Sequence, residues 1–191
     1  MSKMDKDTIY IVSGLPRSGT SMLMQMMKKG RMKVATDEKR IPDKDNPAGY
    51  IEIESIINKL EEEPEYILNF KGEFVKVIAY GLKYLPQGKY KMVYTDRKIE
   101  EVLDSMEKMV GQKDEEREEA KEAFAKLNRI IKDRIRERED IEVLFVNYND
   151  ILANPEKEIT GIYEFLKEDG ADLEKMIEAV NPDLYRNRRE K

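Results

Sequence analysis

The stretch TIYIVSGLPRSGTS, residues 8–21, constrains the fold more than any other part of the chain. A β-branched, apolar run ends at Ser13. A short loop then carries Gly14 and Gly19, and residues 20–29 place Met22, Leu23, Met26 and Met27 at helical spacing. A strand that passes through a tight glycine loop into a helix is the first half of a βαβ unit. The glycine spacing is nearly that of the phosphate-binding pattern Gly-x-x-x-x-Gly-Lys-Ser/Thr. Ser21 fills the last place, but Thr20 stands where the lysine belongs, and the loop's basic residue is Arg17. Backbone N–H groups of such a loop and of the first helical turn converge on an anion, and glycine allows their close approach. The alternative is a plain strand-to-helix turn, against which the hydroxyls of Ser18, Thr20 and Ser21 argue.

The rest of the chain continues the alternation. Strand-like runs fall at 74–79, 90–95 and 141–146, with a weaker one at 32–36. The runs at 8–13, 74–79 and 141–146 are almost continuously apolar or β-branched, as strands buried on both faces of a parallel sheet are. Helical patterns occupy 98–110, with Val102, Leu103 and Met106, and 114–138, with Phe124, Leu127, Ile131 and Ile135 on one stripe. Asn154-Pro155 opens another helix, and a short one covers 171–180. These elements predict a single α/β domain over 1–191: a three-layer α/β/α sandwich on a mostly parallel sheet of about five strands, of the P-loop type. Residues 36–50 form the longest polar, turn-rich segment, and loops at the ends of parallel strands carry substrate contacts in such folds.

Composition removes several chemistries. The chain has no cysteine, so thiolate catalysis and disulfides are excluded, and no histidine, which removes the usual general base and the commonest metal ligand. A net charge of −5 argues against nucleic acid as partner. Runs such as IYIV and VLFV fall far short of the ~20 residues of a membrane span. The N-terminal MSKMDKD leads into the first strand without a signal-like apolar region, so a cytoplasmic protein with no membrane partner is expected.

Without the lysine, the loop is ill suited to the β- and γ-phosphates of a nucleotide triphosphate. Arg17 at its crest can instead fork onto two oxygens of one phosphate or sulfonate. GLPRSGTS resembles the 5′-phosphosulfate loop of sulfotransferases that use 3′-phosphoadenosine 5′-phosphosulfate (PAPS). The nearest likeness is to short bacterial sulfotransferase-like proteins and to tyrosylprotein sulfotransferases, both of which carry arginine here. The resemblance runs from about residue 8 to 188. It implies that Pro16, Arg17, Ser18, Gly19, Thr20 and Ser21 cradle the phosphosulfate. Arg97 at a strand end, with Ser105 eight residues later, resembles the family's 3′-phosphate site. A surface arginine and an outward serine are the plain alternative. FVKVIAYGLKYLP resembles the strand that carries a lysine toward the phosphosulfate, here Lys76. A lysine snorkelling to the sheet edge is the other reading. VLFVNYNDILANP resembles the segment whose tyrosine flanks the adenine, here Tyr148, with a packed core-edge tyrosine as its alternative. Arg186 and Arg188, in LYRNRR, are candidates to close over the 3′-phosphate, against a solvated tail.

The resemblance implies sulfuryl transfer from PAPS to a hydroxyl or amine, with no metal. Cytosolic members of the family place a catalytic histidine where this chain has Ile78. A carboxylate is therefore the natural base. Tyrosylprotein sulfotransferases carry an acid about twenty residues after the loop arginine, where Asp37 and Glu38 lie. Glu52 and Glu54 are second choices, and a solvated turn is the other reading of Asp37 and Glu38. Two rivals remain. One is an ATP- or GTP-dependent P-loop kinase or hydrolase, with Asp96 as a magnesium-holding acid. The other is a non-catalytic nucleotide-binding protein on the same fold. The acceptor is not legible, but the short chain leaves little room for pocket walls, so an open site for a large or extended acceptor is expected.

Overall fold

The strand order of the sheet decides where a site can form. In the computed structural model, which describes residues 4–39, 49–111, 116–167 and 170–180, four parallel strands stand in the order β2-β1-β3-β4. They are β1 (Ile9–Gly14), β2 (Phe74–Lys76), β3 (Tyr90–Asp96) and β4 (Ile141–Asn147). Parallel neighbours need crossovers. From β1 the chain crosses to β2 on one side; from β3 it crosses to β4 on the other. The order reverses between β1 and β3, and open α/β sheets bind ligands at the C-terminal strand ends of such a switch point.

Both faces of the sheet are covered, which explains the unbroken apolar runs. Ile9, Ile11, Val75, Tyr90, Met92 and Tyr94 face one layer, formed by α2 (Ile56–Glu62), two 3-10 helices (Pro64–Phe70 and Ala79–Tyr84) and α4 (Arg117–Arg136). Tyr10, Val12, Phe74, Val93 and Val146 face the other layer, with α1 (Thr20–Lys29), α6 (Pro155–Leu166) and α7 (Leu173–Glu178). Met24, Met26 and Met27 of α1 are fully buried there, as flexible fillers of a core. The remaining helices are α3 (Ile99–Val110), which closes at a left-handed Gly111, and α5 (Tyr148–Ala153).

The expected α/β/α sandwich is therefore present, with two differences of detail. The weak strand at 32–36 is reduced to one parallel bridge, Val34 to Phe74. There the Ala35 N–H donates to the Phe74 carbonyl at 2.8 Å and the Phe74 N–H to the Lys33 carbonyl at 2.9 Å. The chain then turns off toward Glu52, whose carbonyl accepts the Asp37 N–H, and no second rung forms. The run at 74–79 pairs only as far as Val77, whose N–H reaches the Val12 carbonyl at 3.1 Å, before it tightens into the 3-10 helix. Helix α5 is not evident from hydrophobic period alone. It exists because the Asn147 side chain caps it, accepting from the N–H groups of Asn149 and Asp150.

Candidate functional site

The loop after β1 owes its shape to backbone positions that few residues tolerate. Gly14 (φ 153°) lies so close to β3 that a Cβ there would come within 2.5 Å of the Thr95 carbonyl oxygen. Gly19 (φ 105°) lies against the Tyr148 ring, and its Cβ would meet Cδ2 at 2.3 Å. Between them Arg17 takes up the left-handed conformation at φ 65°, unusual for a residue with a side chain. Side-chain hydrogen bonds tie the turn shut: Ser18 Oγ donates to the Leu15 carbonyl at 2.6 Å, and Thr95 Oγ1 to the Ser18 carbonyl at 3.1 Å. Helix α1 starts at Thr20 with no side-chain cap and no acid in its first turn. Its first N–H groups and the positive end of its dipole therefore suit an anion.

Arg17, Ser21, Lys76, Arg97 and Ser105, all singled out in the sequence, meet around this loop. Arg17 donates from Nε to Ser105 Oγ at 2.8 Å, bringing the loop crest onto the buried serine of α3. Arg97 donates from Nη1 to the Arg17 carbonyl at 3.1 Å. Lys76, at the end of β2, donates from Nζ to Ser21 Oγ at 3.1 Å, so the strand lysine and the last loop hydroxyl are neighbours. Nζ also lies 2.6 Å from Glu52 Oε2, with both side chains largely buried. Burying this ammonium is tolerable because the carboxylate accompanies it.

Tyr148 is buried beside the loop. Its ring centroid lies 4.5 Å from the Arg97 guanidinium carbon, in addition to its contact with Gly19. Burial pushes its hydroxyl above the ordinary phenol pKa, partly offset by the Arg97 charge. Pro16 is half-buried in the loop, and Ser18 and Thr20 are buried. Arg186 and Arg188 lie outside the described residues.

The acids divide. Asp37 Oδ2 accepts the Glu54 N–H at 2.9 Å, and Oδ1 the Lys39 N–H at 3.3 Å. Burial acts to raise its pKa, but these two bonds, with the charges of Lys39 and Lys59, prevail and hold the carboxyl below its usual range. Glu38 is exposed, and its N–H rests on Thr36 Oγ1. Glu52, a second choice from sequence, is the acid beside Lys76. Asp96 pairs with Lys132 of α4 and accepts from Asn128 Nδ2 at 2.8 Å. It is occupied by α4 rather than presented as a metal ligand.

Sequence reasoning missed Glu101 and Asn149. Glu101 is fully buried; its Oε2 accepts from Arg97 Nε at 3.0 Å, and both its oxygens lie 3.1 Å from Asn149 Nδ2. The available signal was the i,i+4 spacing of Arg97 and Glu101 across a helix start.

Comparisons with known proteins bear on the family and the fold. The sulfotransferase domain family matches residues 7–189. The fold resembles the sulfotransferase domain from the Synechococcus PCC 7002 olefin synthase, at 15% identity and a TM-score of 0.54, over 96% of this chain and 81% of that one. It also resembles mouse sulfotransferase SULT7A1 complexed with PAP, at 18% identity and a TM-score of 0.56, over 97% of this chain and 68% of that one. No curated protein matches in sequence. Among the described residues no helix is long and apolar enough to cross a membrane. With a family match spanning residues 7–189, the chain belongs to the sulfotransferase family and is a transferase on a parallel α/β fold.

Proposed function

We propose that the chain moves the sulfuryl group of PAPS onto a hydroxyl or amine, without a metal ion. The observation that carries this reading is the contact of Arg17 with Ser105. It brings the loop suited to a 5′-phosphosulfate beside the residues suited to a 3′-phosphate. The fit of the cradle supports it further: an uncapped helix N-terminus, and glycines whose Cβ atoms would obstruct the turn.

In this reading the acceptor oxygen or nitrogen attacks sulfur in line with the departing 5′-phosphate. One bond to sulfur forms, the bond from sulfur to the phosphate oxygen breaks, and adenosine 3′,5′-bisphosphate leaves. Negative charge grows on the leaving oxygen, where loop N–H groups and the Arg17 guanidinium stabilise it. Lys76 serves the sulfonate oxygens from the side of Ser21. Arg97, Ser105 and Arg186 serve the 3′-phosphate, and Tyr148 borders the nucleotide site from beneath Gly19.

The acceptor proton goes to a carboxylate. Glu52 is the candidate the geometry favours over Asp37 and Glu38. It touches Lys76, whereas Asp37 spends both oxygens on backbone N–H groups. A carboxylate paired with an ammonium is a weak proton acceptor. When Lys76 turns to the sulfonate, Glu52 is released to accept the acceptor's proton. The acceptor itself is large or extended in this reading.

The test is transfer from sulfur-labelled PAPS, in EDTA, to a panel of hydroxyl- and amine-bearing acceptors. Metal-independent release of adenosine 3′,5′-bisphosphate coupled to labelled acceptor supports the proposal. Turnover of Mg-ATP with no consumption of PAPS overturns it.

A further inference from the structure

Arg97 is doubly committed within the protein, and this bears on what it does. Its Nε edge faces Glu101, and its Nη1 reaches over to the carbonyl of Arg17, which is the loop's left-handed residue. Its side chain is 7% exposed and that of Glu101 0%. A guanidinium this buried points where its partner carboxylate directs it, because a lost partner leaves an uncompensated buried charge. Glu101 is directed in turn: it leaves the first turn of α3 and is held by Asn149 of α5. The neighbouring Tyr148 stacks on the guanidinium and lies against Gly19. One carboxylate therefore joins three elements, α3, the end of β3 and the start of α5, and all of them bear on the two backbone positions that shape the loop, 17 and 19.

We infer that Glu101 is a positioning residue for the phosphosulfate loop: through Arg97 it holds the Arg17 carbonyl, and so the loop crest, in its left-handed conformation. On this view Arg97 is first a strut of the 5′ end, not solely a ligand of the 3′-phosphate. The consequence for ligand binding rests on the function proposed above; the consequence for the loop itself does not.

The test uses the full chain and Glu101→Gln, which keeps the shape and removes the charge. Asn149→Ala, which leaves the Arg97–Glu101 pair in place, is the second variant should the first fold poorly. In the free protein, hydrogen–deuterium exchange of residues 14–21 should quicken about tenfold or more in either variant. A core variant matched in melting temperature, such as Ile135→Val, should leave those amides unchanged. Unchanged loop exchange in both variants, or equal quickening in the control, overturns the inference whether or not the protein binds PAPS.

Binding separates the two roles of Arg97. Adenosine 3′,5′-bisphosphate and adenosine 5′-phosphosulfate, which lacks the 3′-phosphate, should both lose about tenfold or more in affinity in Glu101→Gln. A loss confined to the bisphosphate would mean that Glu101 tunes only a 3′-phosphate contact, and would overturn the loop role. Failure of the wild-type protein to bind either nucleotide would count against the proposed function, leaving the exchange result to decide this inference.

Discussion

The Nε of Arg17 and the Oγ of Ser105 stand 2.8 Å apart although 88 residues separate them in the chain. The contact exists because β1 and β3 are neighbours in the sheet, so the loop after β1 lies beside the chain that leaves β3. It also means that Ser105 holds the arginine of the 5′ end. Ser105→Ala removes this anchor. A hydrogen bond to a charged group contributes about 1.5–3 kcal/mol. Affinity for adenosine 3′,5′-bisphosphate should therefore fall by about tenfold or more, and the free protein, which loses the same contact, should melt several degrees lower. Calorimetric titration of both proteins checks this.

Glu52 should separate from Asp37 in kinetics. A general base contributes about 10²–10⁴-fold to rate. Glu52→Gln should lower kcat by that order while the bisphosphate still binds. Asp37→Asn should cost far less activity, and should show instead as a modest loss of stability, because the amide keeps one acceptor oxygen and one of the Glu54 and Lys39 N–H groups loses its partner. Single-turnover transfer assays beside urea melts distinguish the two.

Gly19→Ala tests the buttress beneath the loop. The new Cβ would stand 2.3 Å from the Tyr148 ring at a φ of 105°, where side chains are strained. A penalty of about 1–3 kcal/mol is expected, with donor binding lost. Tyr148→Ala lowers stability by itself, but in that background the cost of Gly19→Ala should shrink to the backbone strain alone, since the clash is gone. Urea midpoints of the single and double variants measure it.

The alkaline limb of stability should come from buried tyrosines. Burial pushes Tyr90 up to about 12, with Arg138 opposing and Asp140 adding, and burial with Asp96 pushes Tyr94 higher still. Their hydroxyls donate to the Pro86 carbonyl at 3.0 Å and to Asn128 Oδ1 at 2.7 Å. The folded protein therefore holds these protons more tightly than the unfolded chain, whose tyrosines release them near the ordinary value of 10. Stability from this source is complete below about pH 10 and is lost as pH rises through about 12 and beyond. Tyr90→Phe and Tyr94→Phe should flatten the fall of the urea midpoint across that range.

The residues that formed a local pattern were the legible ones. The loop announced itself because its turn needs glycines at 14 and 19, and Thr20–Lys29 because its apolar stripe has one period. The strands were legible because both faces of the sheet are covered, which leaves unbroken apolar runs. The edges were less so. Residues 32–36 share the composition of a strand, yet one bridge is all that forms, since pairing depends on where Asp37 turns toward Glu52. Helix α5 depends on the side chain of Asn147 rather than on a stripe. Within the site, Arg17 stood out as the basic residue of the loop, and Lys76, Arg97 and Ser105 were singled out by the resemblance of their segments to sulfotransferases. Asn149 and the pairing of Glu52 with Lys76 were not, because they are contacts between elements distant in sequence; Glu101 lies only four residues from Arg97, but an acid in a charge-rich chain has no pattern that marks it as buried.

The central claim is that Arg17 grips the 5′-phosphate end of an adenine nucleotide carrying a 3′-phosphate. Calorimetric titration of adenosine 3′,5′-bisphosphate in EDTA, on the wild-type protein and on Arg17→Ala, tests it most directly. The account predicts metal-independent binding by the wild type, weakened about 10²-fold or more by the substitution, and no binding of Mg-ATP. Equal affinity in the two proteins, or tight binding of Mg-ATP in place of the bisphosphate, would contradict it.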